Sequence, residues 1–224
     1  PACEGGICVP RCGAVKLLDG SAQAVTKQGV AAAGDFTLEL WLRWHGEFVA
    51  SASSAVLTTN QLLPANGLIL ACALDPVLGC AFNLVAGASL AEAEHLYVPL
   101  GTASVWHHLA FQRTGGELRA FLDGVPGEVT ASSAKLVATS GIALGRNGQV
   151  PPRDAAPVSV GPVRFSTIAR YAGSFTPARY LASDEHIAFS WLSSGAFDGA
   201  TLSDTSGHQL HATVTSPGHL LLDP

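Results

Sequence analysis

"SVWHHLAFQRTGGELRAFLDGVPGEV", residues 104–129, decides the architecture of this chain. Two apolar stretches, "VWHHLAFQR" and "LRAFLDG", flank Thr114-Gly115-Gly116. Glycine supplies the positive φ that a tight connection demands, so the segment predicts two antiparallel strands joined by a hairpin loop. Successive strand residues point to opposite faces. Trp106, His108 and Ala110 therefore share one face, and His107, Leu109 and Phe111 the other. Adjacent histidines so placed cannot aim at one metal ion without a bulge, and the helical H-E-x-x-H arrangement is absent. They read as strand residues beside a packed tryptophan.

The same period extends outward. "DFTLELWLRW" puts Phe36, Leu38, Leu40 and Leu42 on one face and Thr37, Glu39, Trp41 and Arg43 on the other. That alternation predicts a half-buried strand. "GLILACAL" and "CAFNLV" flank the turn-forming pair Asp75-Pro76, and folding there sets Cys72 opposite Cys80. Directly opposed Cβ atoms lie about 4.5–5.5 Å apart, close enough for a disulfide after slight adjustment. Two buried free thiols are the other reading. "KLLDGSAQAV", "EHLYVPL", "SGIALG" and "GPVRFSTIARY" supply further strands, and "DEHIAFSWL", "HQLHATV" and "HLLLD" follow after Ser183. About a dozen short strands separated by turns at this spacing predict an all-β, two-sheet antiparallel sandwich or jelly roll.

Composition narrows the function. Of 224 residues, 48% are hydrophobic and 13% charged, ample for a core. No apolar run reaches the roughly 18 residues of a membrane span. Twelve basic against seventeen acidic residues leave a net charge of −5, which argues against nucleic acid, whose phosphates call for a basic face. The chain starts at Pro1 and contains no Met, as expected of a processed product or a piece of something longer. Three of its five cysteines, Cys3, Cys8 and Cys12, crowd the first twelve residues. Their C-x4-C-x3-C spacing, with no nearby histidine, matches zinc modules poorly and suits disulfides in an oxidising, extracytoplasmic setting. With an odd number of cysteines, either one partner lies upstream of residue 1 or one thiol is free. Residues 1–13 read as the end of a cysteine-rich segment and 14–224 as the β domain, with 183–224 supplying closing strands.

The opening stretch also carries a resemblance. A tryptophan, two histidines, a short apolar run, a glycine turn and a strand ending in Asp-Gly are similar to the signature hairpin of laminin G-like domains. Those belong to the concanavalin A-like lectin and glucanase superfamily, and the likeness is to bacterial members. "VKLLDGSAQAV" resembles the family's opening strand and "DFTLELWLRW" its second core strand. "GIALGR" with "VGPVRFSTIARYAGSFTP" resembles the strand pair that closes the far side, and "IAFSWLSSGAFDGATLSDTSGHQLHATV" a strand-and-turn segment. One departure is visible: members often carry acidic residues after the glycine that precedes "VRF", whereas Gly161 leads here into Pro162 and Val163.

The resemblance implies a jelly roll whose strands are scaffold and whose rim loops carry function. It implies a noncatalytic module in a larger secreted or surface-anchored protein, recognising a glycan or an extracellular protein partner. The alternatives are a structural spacer without a ligand and a glycoside hydrolase of the same superfamily. The loop 145–159 is the unusual one, long and proline-rich, with Arg146, Asn147, Arg153 and Asp154 close together. On the sheet, His95 and Tyr97 share a strand face and offer aromatic area for stacking. The resemblance fixes no cofactor and leaves calcium open. Calcium, common at the rim of such domains, would draw on Asp154, Asn147 and Asp204, although no dense acidic string marks a site. The E-x-D-x-E strand of the retaining glucanases has only Glu92-Ala93-Glu94 as a counterpart, lacking the third acid. No nucleophile elbow or phosphate loop appears. Asp19, Asp123, Asp198 and Asp204 sit in turns, where a carboxylate caps backbone amides.

Overall fold

The computed structural model describes residues 2–4, 7–9, 13–18, 21–45, 54–59, 66–72, 80–85, 93–100, 104–138, 140–146, 154–193, 197–216 and 218–222, with 2–4, 7–9, 80–85 and 222 described as backbone. Its strands begin with β1 (Ala2–Glu4), β2 (Ile7–Val9), β3 (Val15–Leu17), β4 (Gln23–Thr26), β5 (Phe36–Trp44) and β6 (Ser54–Thr58). Next come β7 (Leu68–Cys72), β8 (Cys80–Val85), β9 (Ala93–Val98), β10 (Trp106–Thr114), β11 (Glu117–Leu122) and β12 (Val125–Ala131). The last six are β13 (Ala143–Gly145), β14 (Val158–Ser166), β15 (Ile187–Trp191), β16 (Thr201–Leu202), β17 (Ala212–Val214) and β18 (Leu220–Leu222). No helix occurs among the described residues.

β1 and β2 pair only with each other, with Cys3 opposite Cys8; Cys12 lies outside the described residues. The rest form two eight-stranded sheets. Sheet I runs β12-β11-β10-β5-β14-β3-β18, with β15 also on β14; sheet II runs β16-β17-β4-β13-β6-β7-β8-β9. The inward set of each alternating strand meets the other sheet's: Leu38, Leu40, Phe111 and Phe165 from sheet I, and Leu57, Leu70, Leu96 and Leu144 from sheet II, share one core. This is the two-sheet antiparallel jelly-roll sandwich the alternation predicts.

The quoted stretch folds as read. Thr114 pairs with Glu117 across Gly115 (φ 57°) and Gly116 (φ 89°), and a second turn at Asp123 (φ 51°) and Gly124 (φ 78°) sends the chain into β12. Both turns use two left-handed residues, the geometry that matches strand twist. Cys72 is buried on the core side and directly opposite Cys80 in the ladder. Nonreducing peptide mapping is expected to recover the two as one linked fragment; alkylation of both without prior reduction would remove the bridge. Its loop of about nine residues is worth about 2–3 kcal/mol in chain-entropy terms.

One expectation changes. "GIALGR" and "VGPVRFSTIARYAGSFTP" do not form a closing pair, because β13 lies in sheet II and β14 lies in sheet I between β5 on one side and β3 and β15 on the other. β14 is buried on both faces along its length, as a central strand must be, and it ends at Ser166. Gly161-Pro162 falls where the pairing with β5 shifts register. A bulge tolerates proline's missing N–H. Gly161 has its own reason, since a Cβ there would stand 3.0 Å from the Trp41 Cβ.

Candidate functional site

Beyond Ser166 the chain turns back and lies as a strap, residues 167–184, across the outer face of sheet I. An irregular segment must find partners for its backbone groups, and the outward side chains of the sheet supply them. Thr37 Oγ1 donates to the Ile168 carbonyl (2.8 Å), Gln112 Nε2 to the Tyr171 carbonyl (2.7 Å) and Trp41 Nε1 to the Ala178 carbonyl (3.1 Å). Gln112 Oε1 accepts from the amides of Arg170 and Tyr171, and the Phe175 amide donates to the Gly124 carbonyl (3.0 Å).

Beneath the strap sits Glu39, fully buried. Its Oε1 accepts from Arg164 Nε (2.8 Å) and Nη2 (2.6 Å); its Oε2 accepts from the Tyr171 hydroxyl (2.5 Å) and faces His108 Nε2 (3.2 Å). Burial alone would push the Glu39 carboxyl up. The His108 hydrogen bond, the Arg164 charge and the Tyr171 hydroxyl outweigh it and hold the group below its ordinary value. Burial and the adjacent carboxylate push the Tyr171 hydroxyl far up. His108 packs edge-on to Trp41 and Phe175, with ring centroids 5.4 and 5.7 Å away.

Alternation alone places Thr37 and Glu39 on an outward face, and both are buried there. His108 is likewise a member of an ionic cluster and not a plain strand residue. The signal for this lies in β11. Leu118, Ala120 and Leu122 face the core, which leaves Phe121 pointing outward. An outward phenylalanine needs a cover, and Tyr171 and Phe175 provide it at 5.7 and 5.6 Å. Glu39 and His108 are both inaccessible, so the cluster holds the strap and does not meet a ligand. His107 faces the other way, its Nδ1 2.8 Å from Asp123 Oδ2, while Asp123 Oδ1 accepts the His108 amide.

The candidate binding residues divide between two places. His95 and Tyr97 stand exposed on β9, the margin of sheet II, with rings 6.5 Å apart and within 15° of parallel. The Tyr97 amide donates to Glu128 Oε2 of β12 (2.7 Å). Glu94 Oε1 accepts the amides of Ser133 and Ala134, so it anchors a loop; Glu92 lies outside the described residues. Ile69 and Ala71, outward on β7 two strands further in, are buried; the β9 rings stand at the rim. Arg146 and Asp154 are exposed, with Nε to Oδ1 at 3.9 Å, and Asn147 and Arg153 lie outside the described residues. The Asp154 carbonyl accepts the Ala55 amide of β6. Tyr97 lies level with Ala55 through Ala81 and Ala71, three strand spacings or about 14 Å away.

Asp204 belongs elsewhere. Arg146 follows Gly145, which pairs with Gln23 at the start of β4. Asp204 lies past Leu202, which pairs with Ala212 and through it with Thr26, the other end of β4. Its carboxylate is also occupied: Oδ1 accepts the Ser190 and Ser206 amides, and Oδ2 accepts the Ser206 hydroxyl and the Leu210 amide. Asp154 and Asp204 therefore do not fit one calcium site, and Asp204 is a turn-building hub. Asp198 caps the Ala200 and Thr201 amides, as its turn position implies.

No protein-family model matches the sequence, and no curated protein matches it. Solved structures do. The chain is similar over 96% of its length to a candidate carbohydrate-binding protein from Bacteroides ovatus ATCC 8483 (15% identity, TM-score 0.71), of which it spans 60%. It is similar over 72% of its length to the heptameric SAP-like pentraxin of Limulus polyphemus (11% identity, TM-score 0.54), spanning 78% of that chain. Over 75% it is similar to domains LG4-5 of the mouse laminin α1 chain (14% identity, TM-score 0.53), spanning 46%. With the two sheets described above, these likenesses make the chain a concanavalin A-like jelly-roll sandwich.

Proposed function

We propose that the chain is a noncatalytic recognition module, acting outside the cytoplasm as part of a larger protein, that binds a glycan at the margin of sheet II. The observation that carries this reading is the exposed, near-parallel pair His95 and Tyr97. Two exposed ring faces on one strand suit the C–H face of a pyranose. The exposed Arg146 and Asp154, with Asn147 and Arg153 between them in sequence, add charged and amide groups suited to hydroxyls. Similarity in fold to a candidate carbohydrate-binding protein supports the reading. A noncatalytic role is supported by the acids themselves. A retaining hydrolase needs two carboxyls flanking a sugar bond, whereas Glu94 is tied to a loop and Glu39 is sealed beneath the strap. No helix among the described residues is long and apolar enough to cross a membrane.

The test is a glycan array, followed by titration calorimetry of the best binder with and without millimolar calcium. His95→Ala with Tyr97→Ala is expected to weaken binding about tenfold or more, since each aromatic contact is worth about 0.5–1.5 kcal/mol. Stability should move by only about 0.5 kcal/mol, as for other exposed changes. Asp154→Ala in the same titration tests whether the 145–159 loop shares in recognition. Unchanged affinity in the double variant would move the site elsewhere, and an array with no binder would favour the spacer role.

A further inference from the structure

At the end of the sandwich opposite Arg146 and Asp154, an open cleft of about 410 Å³ lies between the segment 28–31, the residues around Ile187 and the 204–210 turn. The volume falls within the roughly 300–1,000 Å³ typical of ligand sites. Its polar lining is Gln28, Thr167, Glu185, His186 and His208, over a floor that includes Ile187. Neither lysine nor arginine lines it among the described residues.

Both walls are held by carboxylates that are not part of the lining. Asp204 gathers four donors and thereby fixes the turn that presents His208 and Leu210. The turn passes through left-handed backbone at Gly207 (φ 94°) and Gln209 (φ 59°). A non-glycine residue in that region is strained and is kept where surrounding bonds impose it. The Leu210 carbonyl is fixed in turn by Trp191 Nε1 (2.8 Å). On the facing wall, Asp184 Oδ1 accepts the His186 amide (2.9 Å), and Asp184 is itself gripped by both terminal nitrogens of Arg170 at 2.8 and 2.9 Å. Thr167 closes this wall by donating its amide to the His186 carbonyl (2.8 Å). Two histidines from separately braced loops thus line one shared space with Gln28, Glu185 and Thr167, whose hydroxyl donates to the His186 carbonyl (3.2 Å).

We infer that this cleft is a second ligand site, one that takes the end residue of a neutral saccharide. Adjacent hydroxyls both donate and accept, and they match a mixed set of imidazole, carboxylate and amide. The exposed Glu185 carboxylate, 3.7 Å from His186, disfavours an acidic sugar by like-charge repulsion. The inference rests on the glycan reading above and adds a site on the opposite end.

The probe set is the methyl glycosides of glucose, galactose and mannose, with methyl glucuronide as the acidic comparison, titrated into the isotope-labelled full chain and followed by amide shifts. At least one neutral glycoside is expected to shift the amides of His186, His208 and Leu210. His208→Ala and Glu185→Gln, both exposed side chains, should each weaken that binding about fivefold or more, the worth of one or two hydrogen bonds. Shifts confined to His95 and Tyr97 would overturn the cleft and leave the glycan reading standing. Tighter binding of the glucuronide would overturn the neutral class, and no shift at either place with any probe would overturn both readings.

Discussion

Glu39→Gln is expected to lower the stability of the fold by about 3–5 kcal/mol, the usual cost of removing one partner from a buried ion pair. The amide fits the same space, but it leaves the Arg164 guanidinium beneath the strap without a counter-charge. For a chain of this size the melting temperature should fall by roughly 6–20 °C. Urea unfolding should show a lower midpoint with an unchanged slope. A change under about 1 kcal/mol would mean that the backbone bonds of the strap suffice without the ion pair. Acid gives an independent check. Glu39 is held below its ordinary value of 4.5 when folded, so its contribution is present above that pH and is lost as pH falls through the lowered value. Asp184 behaves alike: the Arg170 hydrogen bonds bring it to about 2. Wild-type stability should decline from about pH 4.5 toward 2, and the Gln variant should decline less steeply.

Gly124→Ala should be nearly as damaging, at about 2–4 kcal/mol, though the residue belongs to no core. Its φ of 78° disfavours any side chain, and a Cβ would stand 1.8 Å from the Phe175 carbonyl oxygen. Left-handed strain costs about 1–3 kcal/mol, and relieving the clash means lifting the strap and breaking the bond from the Phe175 amide to the Gly124 carbonyl, worth about 0.5–1.5 kcal/mol more. Hydrogen exchange at Phe175 should therefore accelerate well beyond exchange in β5. Unchanged protection at Phe175 in the variant would show that the strap does not depend on this turn.

Much of the sandwich was legible because its strands repeat every second residue. The β10–β11 hairpin, the inward Phe36, Leu38, Leu40 and Leu42, and the opposition of Cys72 to Cys80 all follow from that period and from glycine or proline turns. What the period does not reveal is which outward faces later become covered. Glu39 and His108 looked outward in their strands, and they are buried by residues more than 60 positions further along. Asp204 illustrates a related difficulty. In sequence a turn aspartate offers oxygens to a cation, and only the fold shows four backbone and hydroxyl donors already on them. The pairing of His95 with Tyr97 was visible; the roughly 14 Å from Tyr97 to Ala55, with the 154–155 segment bridged to Ala55 beyond it, depends on the order of sheet II and was not.

The strap also sets a timetable. Glu39 meets Arg164 and Tyr171 only after 125 and 132 further residues have been made, and Lys16 finds its β18 neighbour Leu221 later still. At about 5–20 residues per second, Glu39 waits roughly 6–25 s on the ribosome for its counter-ion. Sheet I therefore cannot close in step with synthesis, because its central strand β14 and its outer cover arrive in the last third of the chain. Pairings this distant also fold slowly. Until β14 emerges, β5 presents an open edge, and Glu39 and His108 stay in contact with water rather than sealed beneath a cover.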